Sequence, residues 1–273
     1  MVYNTFMHPL MAIFLGFVQG LTEFLPISSS GHLALLEHYL HVQGGGLSFD
    51  ILLHVGSLVA LLWYFREDWV NMATSILRPS PYSRLERRLF ICLAAATIPG
   101  ALAGVLLQKS AETIFRQPWR IALLLGGLGI LLILAERLAR HLRPLTNLNL
   151  GDALLIGFSQ ALAIMPGVSR AGITMTTGLF LGFTRESTAR FSFLLATPII
   201  AGAGFYDLLK WIKHPPNNLS WGAGICGFLS ALVFSYLAIH FLLHYLRRHT
   251  FYPFAVYRLL LAALILGLTI LKY

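Results

Sequence analysis

An all-α integral membrane fold is predicted, with six transmembrane helices plus two re-entrant helical hairpins, the two halves forming an inverted-topology internal repeat. Three observations carry this expectation. The 273 residues are 57% hydrophobic and only 11% charged, with a mean hydropathy of +0.72, where soluble domains carry about 25% charged residues. Apolar runs of spanning or near-spanning length recur from end to end. Two polar knots, Leu21 to His32 and Met165 to Gly172, interrupt them. An ionisable group in hydrocarbon costs roughly 2.5–3.5 kcal/mol on the insertion scale, so each knot points to a site.

Taken in order, residues 9–43 are a short apolar piece, a break rich in Pro, Ser and Gly, and a second short apolar piece. Pieces of about 10–14 residues cannot span, so the stretch reads as a re-entrant hairpin with its knot at the tip. Runs 49–65, 89–107 and 119–135 follow as spans. Residues 153–183 repeat the broken pattern, and 191–209, 222–246 and 254–271 complete the set. The whole of 1–273 reads as a single transmembrane domain. One repeat half covers about 9–135 and the other about 153–271.

The halves resemble each other in detail. Gly16-Phe17-x-Gln19 recurs as Gly157-Phe158-x-Gln160, and Pro26-x-x-Ser29 recurs as Pro166-x-x-Ser169. Phe49-x-x-Leu52-Leu53 with Trp69 matches Phe191-x-x-Leu194-Leu195 with Trp211. One hairpin and three spans per half is an odd number of crossings, which turns the second copy upside down. Loop charge agrees: loops 66–88, 136–152, 184–190 and 247–253 hold twelve Lys and Arg, against six in 108–120, 210–221 and at Lys272. The arginine-rich loops are therefore assigned to the cytoplasm and both termini to the outside.

The formal charge of +9 fits positive-inside loops and anionic membrane lipids as partners, and no nucleic acid is expected. No Lys or Arg precedes Arg66, so the first apolar run is not read as a signal peptide. Cys92 and Cys226 sit within apolar runs and read as small buried hydrophobes. The five tryptophans fall near span ends, where aromatic belts belong.

The chemistry lies at the two hairpin tips. Ser28, Ser29 and Ser30 supply hydroxyls, and Gly31 and Gly167 allow close backbone approach. His32 can exchange a proton near neutral pH. Glu23 is a carboxylate, and Arg170 is a planar cation of the kind that grips phosphate or carboxylate. Free N–H groups at a broken helix favour the same anions. Ser169 reads either as a pocket residue or as a helix cap. Nucleophile, base, carboxylate and anion clamp together suggest phosphoryl transfer or hydrolysis. No Walker loop is present, so a nucleotide substrate is not expected, and a pocket inside lipid suggests a lipid-linked phosphate. Outside the tips, Asp50 and His54 could neighbour the site but are assigned to packing or interface anchoring, and Arg258 to a structural pair or a second phosphate contact. His240 and His244 have metal-like spacing but no third ligand.

The segments Gln19-Gly-Leu-Thr-Glu-Phe-Leu-Pro-Ile-Ser-Ser-Ser-Gly-His32 and Pro166-Gly-Val-Ser-Arg-Ala-Gly172 closely resemble the two motifs of the bacterial undecaprenyl-diphosphate phosphatase family, BacA/UppP. The likeness extends through Phe191-Ser-Phe-Leu-Leu-Ala and Pro253-Phe-Ala-Val-Tyr-Arg258. It implies a multi-pass enzyme of the bacterial cytoplasmic (inner) membrane whose site opens to the periplasmic face. Such an enzyme removes the terminal phosphate of the C55 isoprenoid diphosphate, recycling the lipid carrier for cell-wall synthesis and conferring bacitracin resistance.

The resemblance puts the catalytic carboxylate on Glu23, the serine nucleophile candidate on Ser29, the histidine on His32 and the phosphate-binding arginine on Arg170. Gln19, Ser28, Ser30, Gly31, Gly167 and Ser169 would line the substrate site. The resemblance also implies a divalent cation, Mg²⁺ or Ca²⁺, with Glu23 as a ligand; Gln19 stands where the family often has a second Glu. A homodimer is compatible with it.

Serine, histidine and water remain open as the attacking group. The competing class is an inverted-repeat transporter or flippase for a lipid phosphate. The type-2 phosphatidic acid phosphatase pattern fails, because Thr176 stands where its nucleophilic His would follow Ser169-Arg170.

Overall fold

The computed structural model describes residues 8–40, 47–213 and 221–271, and these form α-helices joined by short turns. In chain order they are α1 (Pro9–Phe24), α2 (Ser29–Leu40), α3 (Leu47–Tyr64), α4 (Arg66–Leu77), α5 (Arg84–Phe115), α6 (Pro118–Leu138), α7 (Leu150–Ala161), α8 (Arg170–Phe180), α9 (Arg185–Lys213), α10 (Trp221–Tyr245) and α11 (Tyr252–Leu271). Five of them, α5, α6, α9, α10 and α11, are long and apolar enough to cross a membrane. A sixth crossing arises if the bent pair α3–α4 counts as one span. Lys272, counted in the charge comparison, lies outside the described residues.

Residues 66–88 were expected to form a loop, but most are helical. Arg66, Glu67 and Asp68 look like loop residues, yet two acids in the first turn suit the positive end of a helix. The resulting α4 turns 70° away from α3. It buries Met72 and Ser75 and leaves Val70 and Leu77 exposed. Helix α5 also begins earlier and ends later than the apolar run 89–107, and it carries Pro99 in its interior.

The two knots fall at the two places where short helices meet. Residues 25–28 separate α1 from α2, and residues 162–169 separate α7 from α8. Helix α1 packs on α10, and α7 packs on α5. Both contacts depend on a missing side chain. A Cβ on Gly16 would come within 2.4 Å of the Gly227 carbonyl oxygen, and one on Gly157 within 2.4 Å of that of Ala96. Small residues let helix backbones approach in this way inside a membrane. The largest apolar cluster draws on both halves of the chain, from Phe24 and Leu61 to Phe193, Ile239 and Ala255. Cys92 is buried within it, and Cys226 is half-buried; both are free thiols.

Candidate active site

Both breaks end on the same local structure. Ser28 has φ +76° and Ser169 has φ +69°, a region that costs a non-glycine residue about 1–3 kcal/mol unless its surroundings hold it. Each serine accepts from the backbone N–H three residues ahead. Gly31 N donates to Ser28 Oγ at 3.3 Å, and Gly172 N to Ser169 Oγ at 3.0 Å. These bonds satisfy donors left free at the first turn of α2 and of α8.

The equivalence shifts the register expected from Pro-x-x-Ser by one residue. Ser28 matches Ser169, in step with the pairs Gly16–Gly157 and Gln19–Gln160. Ser29 and Arg170, the first residues of their helices, then occupy equivalent places. One supplies a hydroxyl and the other a guanidinium.

Glu23, at the end of α1, joins the two tips. Its Oε1 accepts from Arg170 Nη2 at 2.6 Å, and its Oε2 accepts from Ser29 Oγ at 2.5 Å. Gln19, one turn earlier, donates Nε2 to Oε2 at 3.1 Å. His54 Nε2 lies 4.0 Å from the same oxygen, so this histidine of α3 neighbours the site rather than serving packing alone. Arg170 uses a second N–H on the Ala196 carbonyl at 3.3 Å. Two of its five donors are thus engaged within the protein.

Glu23, Ser29, Ser30, Ser169 and Arg170 line a cavity of about 420 Å³, together with Asp50, His54 and Gln160. Apolar residues of α9, including Ile199, Ile200 and Ala203, form another part of its wall.

His32 is placed differently. Its Nδ1 meets the Ser28 carbonyl at 2.7 Å, and its Nε2 meets the Tyr257 hydroxyl at 2.7 Å, with the two rings stacked. Nδ1 carries the proton in this network, so Nε2 accepts from the tyrosine. Ser29 Oγ thus meets Glu23 rather than His32, whose two ring nitrogens are engaged by Ser28 and Tyr257. Ser29 opens α2 and reaches across the break, while His32 faces α11. Gly31 packs on the other tip and Gly167 on α6, and neither is among the residues lining the cavity. A Cβ on Gly31 would lie 3.5 Å from Gly167 Cα, and one on Gly167 would lie 2.8 Å from the Ile121 carbonyl. With φ at +102°, position 167 needs glycine.

Sequence reasoning undervalued Arg258. The guanidinium is fully buried and donates to four carbonyls. Nε reaches Leu125, Nη1 reaches Pro26, and Nη2 reaches Gly167 and Val168, all within 3.2 Å. Carbonyls at a helix break lack their usual partners, and this one cation satisfies both breaks at once. An arginine inside an otherwise apolar run was the visible signal. Two amides are incompletely paired: Gln19 Oε1, and both Nε2 and Oε1 of Gln160, are buried without a hydrogen-bond partner. Each such group costs about 1–3 kcal/mol.

Fold and site together define a multi-pass membrane protein with a polar cluster enclosed among its helices. The family model described as bacitracin resistance protein BacA matches residues 12–264, and the chain belongs to that family. It is 51% identical to the undecaprenyl-diphosphatase of Moorella thermoacetica, over 94% of this chain and 97% of that protein. It is 45% identical to the enzyme of that name from Desulforudis audaxviator over 97% and 100% of the two chains. The corresponding Gemmatimonas aurantiaca protein is 46% identical over 93% and 95%.

Proposed function

We propose that this protein is an integral-membrane hydrolase that removes the terminal phosphate of undecaprenyl diphosphate, giving undecaprenyl phosphate and inorganic phosphate. The observation that carries the chemistry is the 2.5 Å bond from Ser29 Oγ to Glu23 Oε2, with Arg170 on the other carboxylate oxygen. Glu23 takes the Ser29 proton as Oγ attacks the terminal phosphorus. The bond from phosphorus to the bridging oxygen breaks, and undecaprenyl phosphate leaves. Glu23 passes that proton to the departing oxygen; again a carboxylate, it takes a proton from the water that attacks the phosphoserine and returns it to Ser29 Oγ as phosphate leaves. Arg170 binds the phosphoryl oxygens, where its remaining donors match the developing charge. His32 supports the strained Ser28 turn through that residue's carbonyl, with Tyr257 fixing its ring.

A divalent cation, Mg²⁺ or Ca²⁺, belongs to the same proposal, although no group of three or more His, Cys, Asp or Glu that could hold one occurs among the described residues. Glu23 and the unpartnered Gln19 Oε1 would hold it, substrate phosphate oxygens would complete its shell, and it would neutralise phosphate charge.

The finer architecture belongs to the same reading. α1–α2 and α7–α8 are re-entrant hairpins of an inverted repeat within one domain. The matched serine turns and the crossed packing of α1 on α10 and α7 on α5 support this. The arginine-rich ends face the cytoplasm of a bacterial inner membrane, and the cavity opens to the periplasm. Phosphate release from C55 isoprenoid diphosphate by the purified protein in detergent tests the function. Binding of that lipid without phosphate release would instead favour a transporter.

A further inference from the structure

Gln160 has no role in the chemistry above, yet its setting is unusual. The residue is 3% exposed and lines the cavity, with neither amide atom hydrogen-bonded. Its counterpart in the first half, Gln19, gives its N–H to Glu23 one turn later. In the second half, the residue one turn after Gln160 is Ile164, which cannot accept. Room for the amide exists because position 100 has no side chain: a Cβ there would lie 2.6 Å from Gln160 Nε2. The cavity it lines has apolar side chains, Ala163, Ile164 and Ile200 among them, beside the charged Arg116 and Asp207. A buried amide with a free donor and a free acceptor in such a cavity is a binding group awaiting a polar ligand.

Resting on the phosphatase reading, we propose that Gln160 binds the phosphate next to the isoprenoid chain, and so helps the site select a lipid diphosphate. Glu23, Ser29 and Arg170 already serve the phosphoryl group that is transferred. The second phosphate needs its own donor, and Nε2 of Gln160 supplies it. A neutral amide suits a group that must leave. It carries no net charge, so it holds the phosphate without the added attraction of an ion pair and undecaprenyl phosphate can depart after the bond breaks.

The test compares the wild type with Gln160→Leu and Gly100→Ala. The first removes the amide, and the second pushes it aside while keeping it. Both should raise KM for C55 isoprenoid diphosphate about five- to tenfold. Both should weaken inhibition by undecaprenyl phosphate by a similar factor and leave inhibition by inorganic phosphate unchanged. The melting temperature of Gln160→Leu should hold or rise, because an unpartnered buried amide has been removed. An unchanged KM with a raised melting temperature in Gln160→Leu would overturn the proposal. So would weakened inhibition by inorganic phosphate alone, which would place the amide at the transferred group. Calorimetric binding of undecaprenyl phosphate to the wild type and Gln160→Leu decides the matter separately from turnover. Equal affinities sink the role of Gln160 even in an active enzyme. A wild type that binds undecaprenyl phosphate more tightly than Gln160→Leu but releases no phosphate from C55 isoprenoid diphosphate refutes only the phosphatase reading.

Discussion

Replacing Arg170 with lysine separates charge from geometry. Arg170 spans two partners, with Nη2 on Glu23 at 2.6 Å and Nη1 on the Ala196 carbonyl at 3.3 Å, and keeps further donors for the substrate. An ammonium can keep the ion pair to Glu23, so the buried carboxylate is not stranded and the protein should still insert and fold. What it loses is the planar fork that holds two phosphoryl oxygens together. Losing one charge-assisted hydrogen bond in the transition state costs about 1.5–3 kcal/mol, or roughly 10- to 160-fold in rate at 1.36 kcal/mol per decade. The assay is phosphate release from C55 isoprenoid diphosphate, with gel filtration and thermal unfolding in detergent to show that the fold is intact. A folded Arg170→Lys protein with near-normal turnover would show that Arg170 is only the counter-ion of Glu23.

Three other outcomes are expected. Rapid quenching with substrate labelled in its terminal phosphate should trap acid-stable, alkali-labile label on Ser29 and none in Ser29→Ala; acid-labile label would identify histidine as the nucleophile, and no label at all would indicate direct attack by water. Arg258→Leu strands carbonyls at both helix breaks and should lower stability by at least about 2 kcal/mol, whereas Tyr257→Phe, which removes one hydrogen bond to His32, should cost about 0.5–1.5 kcal/mol; thermal unfolding of both checks this, and equal small effects would refute the tie. In a cysteine-free background, a membrane-impermeant thiol reagent should label Gln117→Cys in intact cells and Ser83→Cys only after permeabilisation, and the reverse would place the cavity mouth in the cytoplasm.

Some of this protein was legible in its residues alone. Apolar runs too long for a soluble core define a membrane protein, because a bilayer accepts only self-satisfied helices or closed barrels. The polar knots stood out for the same reason, since hydroxyls, Glu23 and Arg170 in hydrocarbon need partners. Other features escaped the pattern because they depend on direction and distance. Pro-x-x-Ser aligned Ser29 with Ser169 by residue type, but the positive φ angles and cap bonds align Ser28 with Ser169. Ser29 and His32 are close along the chain, and only the folded break brings the hydroxyl to Glu23 and the imidazole to Tyr257. Residues 66–77 look polar enough for a loop, and packing of Met72 and Ser75 makes them a helix. The four carbonyls that Arg258 satisfies lie on α6 and on both breaks, far from it in sequence. Composition determined that such a cation must have partners, but only the folded chain decided that those partners are the two breaks that hold the site together.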